Sequence, residues 1–169
     1  MATVTLHGTP FQTVGKLPDV GSKLPDFNLT ADDLSDKNLA DFAGKKLLLN
    51  IFPSIDTGTC AASVRRFNTE ASKLGDDVAV LCISRDLPFA QSRFCGAEGL
   101  DQVIVLSSLR DDKFGKDFGI TFQDGPLAGL LSRSVVVVGT DGIVKYTQQV
   151  AETSEEPDYK EALTALSAL

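Results

Sequence analysis

The sequence predicts an α/β fold, a mixed central β-sheet flanked by helices, with residues 1–169 forming a single domain that opens on an N-terminal β-hairpin. Three observations lead there. The runs KLLLNIF (46–52), VAVLCIS (78–84) and SVVVVG (134–139) are short and nearly continuously apolar, as strands buried on both faces are. The first two are separated by a stretch with helical periodicity, which makes a βαβ unit with parallel strands. The third leads through Thr140-Asp141-Gly142 into IVKYTQQ (143–149), the pattern of a hairpin.

From the N-terminus, residues 2–15 read as a two-stranded hairpin turning at His7-Gly8-Thr9-Pro10. A short strand near Phe27–Leu29 follows, then a polar segment with a brief helix around Leu39–Phe42. Pro53 ends the first core strand. From about Thr57 to Leu74, Cys60, Val64, Phe67, Ala71 and Leu74 recur at steps of four and three on one face, with Arg65, Arg66, Glu70 and Lys73 off it. Gly75 is expected to stop this helix. Asp86-Leu87-Pro88 has the form of a cap followed by proline, opening a helix to about Gly96. A strand at Val103–Leu106, a short helix near Lys113–Phe118 and a Gly/Pro loop through Asp124–Gly129 precede the late hairpin. Pro157 opens a final helix.

Composition narrows the function. Net charge is −7 and no basic cluster exceeds the pairs Lys45–Lys46 and Arg65–Arg66, which argues against nucleic acid and anionic membranes as partners. No apolar run approaches the roughly 18 residues of a membrane span. The N-terminal residues lack the basic segment and long apolar run of a secretory signal, so a cytoplasmic location is expected. There is no phosphate-binding glycine loop and no dinucleotide fingerprint.

Chemistry concentrates at the cysteines. Cys60, Cys82 and Cys95 are too few and too widely spaced for a disulfide-stapled fold or a zinc site, whereas a distant pair in a reducing cytosol is more often catalytic or redox-sensing than structural. The segment Pro53-Ser-Ile-Asp-Thr57-Gly-Thr-Cys60 places Cys60 in the first turn of the first core helix. Unpaired N–H groups and the positive end of the helix dipole favour a thiolate there. A thiol of ordinary acidity is only roughly 3% ionised at pH 7, and a helix end supplies about 0.3–1 kcal/mol. A hydroxyl and a cation are therefore wanted as well. Thr57 can give the hydroxyl, and an arginine from elsewhere must give the charge. Cys82, mid-strand in VAVLCIS, reads as a packing residue. Cys95 lies near the end of its helix beside Gly96 and Gly99, which each cost a helix roughly 1 kcal/mol relative to Ala, so this end should fray easily.

These residues carry a resemblance. Pro53-x-x-x-Thr57-x-x-Cys60 resembles the signature of the peroxiredoxins. The longer stretch from Asn50 to Phe67, NIFPSIDTGTCAASVRRF, and the block from Asp86 to Leu100, DLPFAQSRFCGAEGL, are similar to the bacterial thiol peroxidase family, the atypical two-cysteine type. The resemblance covers essentially the whole chain and implies a thioredoxin-like (peroxiredoxin) fold. It implies that Cys60 is the peroxidatic nucleophile, that Pro53 shields it, and that Thr57 hydrogen-bonds both thiolate and peroxide. Arg133, just before the SVVVV strand, matches the family arginine; sequence alone favours a strand-flanking surface residue there. The resemblance further implies an intrachain Cys60–Cys95 disulfide, reduction by thioredoxin, organic hydroperoxides and hydrogen peroxide as substrates, a homodimer, and no cofactor or metal.

Two other functions fit the same scaffold. A thiol–disulfide oxidoreductase would carry Cys-x-x-Cys at the helix start, where Thr57 stands in place of the first cysteine. A peroxide sensor would use the same acidic cysteine without turnover. A Cys–His hydrolase is disfavoured, because the only histidine, His7, lies in the N-terminal hairpin.

Overall fold

A computed structural model describes residues 1–169. The first element is the expected hairpin, β1 (Thr3–Leu6) and β2 (Thr9–Gln12), paired antiparallel. His7 and Gly8 at its tip both have positive φ, 50° and 80°, as a tight two-residue hairpin turn with the right twist requires.

The main sheet has seven strands: β3 (Asn28–Ala31), β4 (Asp36–Asn38), β5 (Lys46–Ile51), β6 (Val78–Ser84), β7 (Ile104–Ser107), β8 (Ser134–Val138) and β9 (Val144–Gln149). Their order is β4-β3-β7-β6-β5-β8-β9. β5, β6 and β7 run parallel, and the other pairs are antiparallel, so the sheet is mixed and thioredoxin-like. The crossovers carry α1 (Gly58–Ala71) and α2 (Pro88–Glu98). A 3-10 helix at Leu39–Phe42, α3 (Asp112–Asp117) and α4 (Tyr159–Ser167) complete the fold.

The period-two alternation of β5 divides the core between the faces of the sheet. Leu47, Leu49 and Ile51 join Phe27, Phe114 and Phe118 on one face. Leu48 joins Cys60, Val64 and Phe67 of α1, Cys82 of β6 and Leu166 of α4 on the other. Phe94 and Cys95 of α2 pack against this second cluster. All three cysteines therefore lie on one side of the sheet.

The structure differs from the sequence reading in three places. β4 was not expected, because Asp-Lys-Asn carries no apolar residue; it forms as an edge strand whose only partner is β3. α1 ends at Ala71 with Ser72 at its C-cap, so Gly75 lies beyond the helix and does not stop it. Asp86 does not cap α2: the cap position is Leu87, with no side-chain cap bond, and the Asp86 carboxylate is engaged elsewhere.

Candidate active site

The centre of the site is the junction of β5 and α1. β5 runs into Phe52 and Pro53, both buried. The chain then makes a tight turn in which the Ser54 carbonyl accepts from the Thr57 backbone N–H and from its hydroxyl, each at 3.2 Å. Thr57 is extended (φ −98°, ψ 147°), and its Oγ1 accepts from the Cys60 backbone N–H at 3.4 Å, the N-cap arrangement. Cys60 is thus the third residue of α1, with no exposed surface, where the unpaired amides of the first turn favour negative charge.

Arg133 reaches this sulfur through the sheet. β8 pairs antiparallel with β5 so that Ser134 stands opposite Ile51, which sets residue 133 beside the end of β5. The surface position that sequence alone favours for Arg133 is overturned: the side chain is only 2% exposed. Its Nη2 donates to Cys60 Sγ at 3.4 Å, and Nη2 and Nε both donate to the Thr153 carbonyl, at 2.9 and 3.2 Å. Nη1 is buried and has no partner within the protein. Unit charges about 4 Å apart attract by about 4 kcal/mol at an effective dielectric of 20, against about 0.3–1 kcal/mol for a helix end. The arginine is the larger influence on a negative sulfur.

Cys60, Thr57 and Arg133 thus come together, with Pro53 buried in the lead-in. The exposed Thr57 hydroxyl donates to the Ser54 carbonyl and not to the sulfur, so here it shapes the turn. Cys95 is half-buried in the last turns of α2 and lines a surface groove of about 530 Å³ with Asp32, Ser92, Leu100 and Val103. Burial, then the nearby charge of Asp32, pushes its thiol up to about 11. Cys82 is fully buried beside Asn50, whose Nδ2 lies 3.8 Å from its sulfur, and burial pushes it up to about 12. All three thiols are free.

Three further residues shape the site, none of which the sequence assigns to it. Thr153 holds the arginine through a backbone carbonyl, which leaves no mark in a sequence. Glu152 accepts from Thr5 Oγ1 (2.7 Å), from the His7 and Gly8 backbone N–H (2.9 and 3.1 Å) and from Ser154, clamping the N-terminal hairpin to the segment that carries Thr153. Asp86 accepts from Ser54, Ile55 and Ser84.

The family model for redoxins matches residues 19–163. The chain belongs to the redoxin family. Within the redoxins it falls among the bacterial thiol peroxidases: it is 54% identical over 168 residues to the thiol peroxidases of Mycobacterium bovis and Mycobacterium tuberculosis, covering 99% of this chain and 100% of each relative. Among solved structures, a peroxiredoxin-like protein from Aquifex aeolicus superposes with a TM-score of 0.93 at 33% identity, over 99% of this chain and 97% of that one. A thiol peroxidase from Chromobacterium violaceum shares the fold, with a TM-score of 0.88 at 24% identity over 98% of this chain and 95% of that one. No helix is long and apolar enough to cross a membrane.

Proposed function

We propose that residues 1–169 act as one domain that reduces hydrogen peroxide and organic (alkyl) hydroperoxides at Cys60. The Cys60 thiolate attacks one peroxide oxygen and the O–O bond breaks. The other oxygen takes a proton and leaves as water or an alcohol, and the sulfur is left as sulfenic acid, oxidised by two electrons. Arg133 stabilises the sulfur anion and, through its free Nη1, the oxygen that takes up charge as the O–O bond breaks. Pro53 keeps water from the sulfur. Thr57 fixes the first turn of α1 and turns its hydroxyl to the peroxide when substrate displaces the Ser54 contact.

Cys95 then condenses with the sulfenic acid: the S–S bond forms, the S–O bond breaks and water departs. Thioredoxin returns both sulfurs to thiols. A homodimer, a cytoplasmic location, a role in antioxidant defence and independence of any cofactor belong to the same proposal and rest on the family. The observation that supports the reading most is the 3.4 Å contact between Arg133 Nη2 and Cys60 Sγ, made where both residues are buried.

Peroxide consumption coupled to thioredoxin, thioredoxin reductase and NADPH tests it. The native chain should turn over many times and Cys60→Ser not at all, while in a separate assay without thioredoxin the native protein should reduce insulin disulfides no faster than dithiothreitol alone. Consumption that stops at one equivalent despite ample reductant would favour the sensor and remove the catalytic cycle.

A further inference from the structure

Asp86 is a carboxylate near the site, engaged by three donors, that the chemistry above leaves without a role. It stands between the end of β6 and the start of α2, partly buried. Its Oδ2 accepts from Ser84 Oγ at 2.6 Å and from the Ile55 backbone N–H at 2.7 Å, and its Oδ1 accepts from Ser54 Oγ at 2.8 Å. Its own carbonyl accepts from Ser107 Oγ at 2.5 Å, which fixes it to β7. Bonds this short to a carboxylate are the strong, charge-assisted kind.

The connection runs directly to the reacting sulfur. Ile55 is only 1% exposed, so its amide cannot turn to water and depends on Asp86. The neighbouring Ser54 carbonyl holds the Thr57 backbone and hydroxyl, and Thr57 Oγ1 holds the Cys60 amide. Asp86 therefore supports the whole 54–57 turn from the far side of β5, and through it the height and direction of the first turn of α1.

We infer that Asp86 is a positioning residue for the peroxide step: it holds the 54–57 turn so that Cys60 faces Arg133. The turn beside Cys60 is anchored by the Asp86 carboxylate at two points, the Ser54 hydroxyl and the Ile55 amide, whereas the distal part of α2 carries Gly96 and ends on Gly99 with φ of 67°. Removal of the Asp86 carboxylate should slow attack on peroxide and leave resolution by Cys95 alone.

This rests on the peroxidase reading, and rapid-quench oxidation with hydrogen peroxide separates the two. Samples are alkylated and mapped by mass spectrometry, giving the rate of Cys60 oxidation and the rate of Cys60–Cys95 disulfide formation in one run. Asp86→Asn should oxidise Cys60 more slowly by about tenfold, the scale of a sub-ångström misplacement, while its sulfenic acid resolves at the native rate. An equal slowing of both steps would mean general destabilisation and overturn the assignment, as would oxidation at the native rate. Should Asp86→Asn not fold, Ser54→Ala removes one of the three donors and should slow oxidation alone by a smaller factor; native behaviour in both steps overturns the assignment equally. If native protein itself fails to oxidise at Cys60, the peroxidase reading falls; if it oxidises and Asp86→Asn matches it, only the role of Asp86 falls.

Discussion

Arg133 and Cys60 lie 73 residues apart in the chain and meet at 3.4 Å between Nη2 and Sγ, a contact created by the antiparallel register of β8 on β5. The guanidinium is oriented by two bonds to one carbonyl, that of Thr153. A planar fork can satisfy that carbonyl and the sulfur together, and a lysine ammonium cannot reproduce the geometry.

Arg133→Ala should therefore lower the rate constant for peroxide attack by about 10²–10³, the usual effect of removing one preorganised donor to developing charge. Arg133→Lys should recover only part of it. Competition for peroxide against a reference peroxidase measures both. Native rates in either variant would remove Arg133 from the chemistry.

Glu152 gives the fold an acid dependence. Its hydrogen bonds from Ser154, then Thr5 and the Gly8 and His7 amides, hold the carboxyl well below its ordinary value of 4.5. A carboxyl depressed in the folded state adds stability that is fully present above the unfolded value and is lost as pH falls toward the folded one. The native chain should melt above Glu152→Gln at neutral pH, with the gap closing as pH falls below 4.5. A gap that stays constant into acid would mean that the ionised clamp contributes nothing. Because Thr153 follows Glu152 directly, Glu152→Gln should also slow peroxide attack.

The thiols set an alkaline limit. Burial raises Cys95 from 9.0 to about 11 and Cys82 from 9.0 to about 12. A thiol raised in the folded state adds stability present below the unfolded value and lost as pH rises through the folded one. Between pH 9 and about 11 the native chain should lose melting temperature faster than Cys95→Ala. Parallel curves would show that Cys95 ionises as freely folded as unfolded.

Much of this was legible in the sequence for a physical reason. β5, β6 and β8 are buried on both faces, so their apolar runs announce them, and the helical spacing from Cys60 to Phe67 gives the buried face of α1 correctly. Thr57 and Cys60 lie within one helical turn of each other, so the hydroxyl beside the sulfur was readable. Arg133 was not readable from its neighbours, because its burial depends on a strand pairing across the sheet. Asp86 looked like a helix cap for the same reason: its partners Ser54 and Ile55 lie more than thirty residues upstream.

A peptide map after one equivalent of hydroperoxide shows which sulfur reacts first. A Cys60–Cys95 disulfide is expected within one native chain and, in Cys95→Ser, a sulfenic acid at Cys60 that dimedone captures. Dimedone captured at Cys82 or Cys95 in place of Cys60, or a native chain whose disulfide leaves Cys60 out, would contradict it.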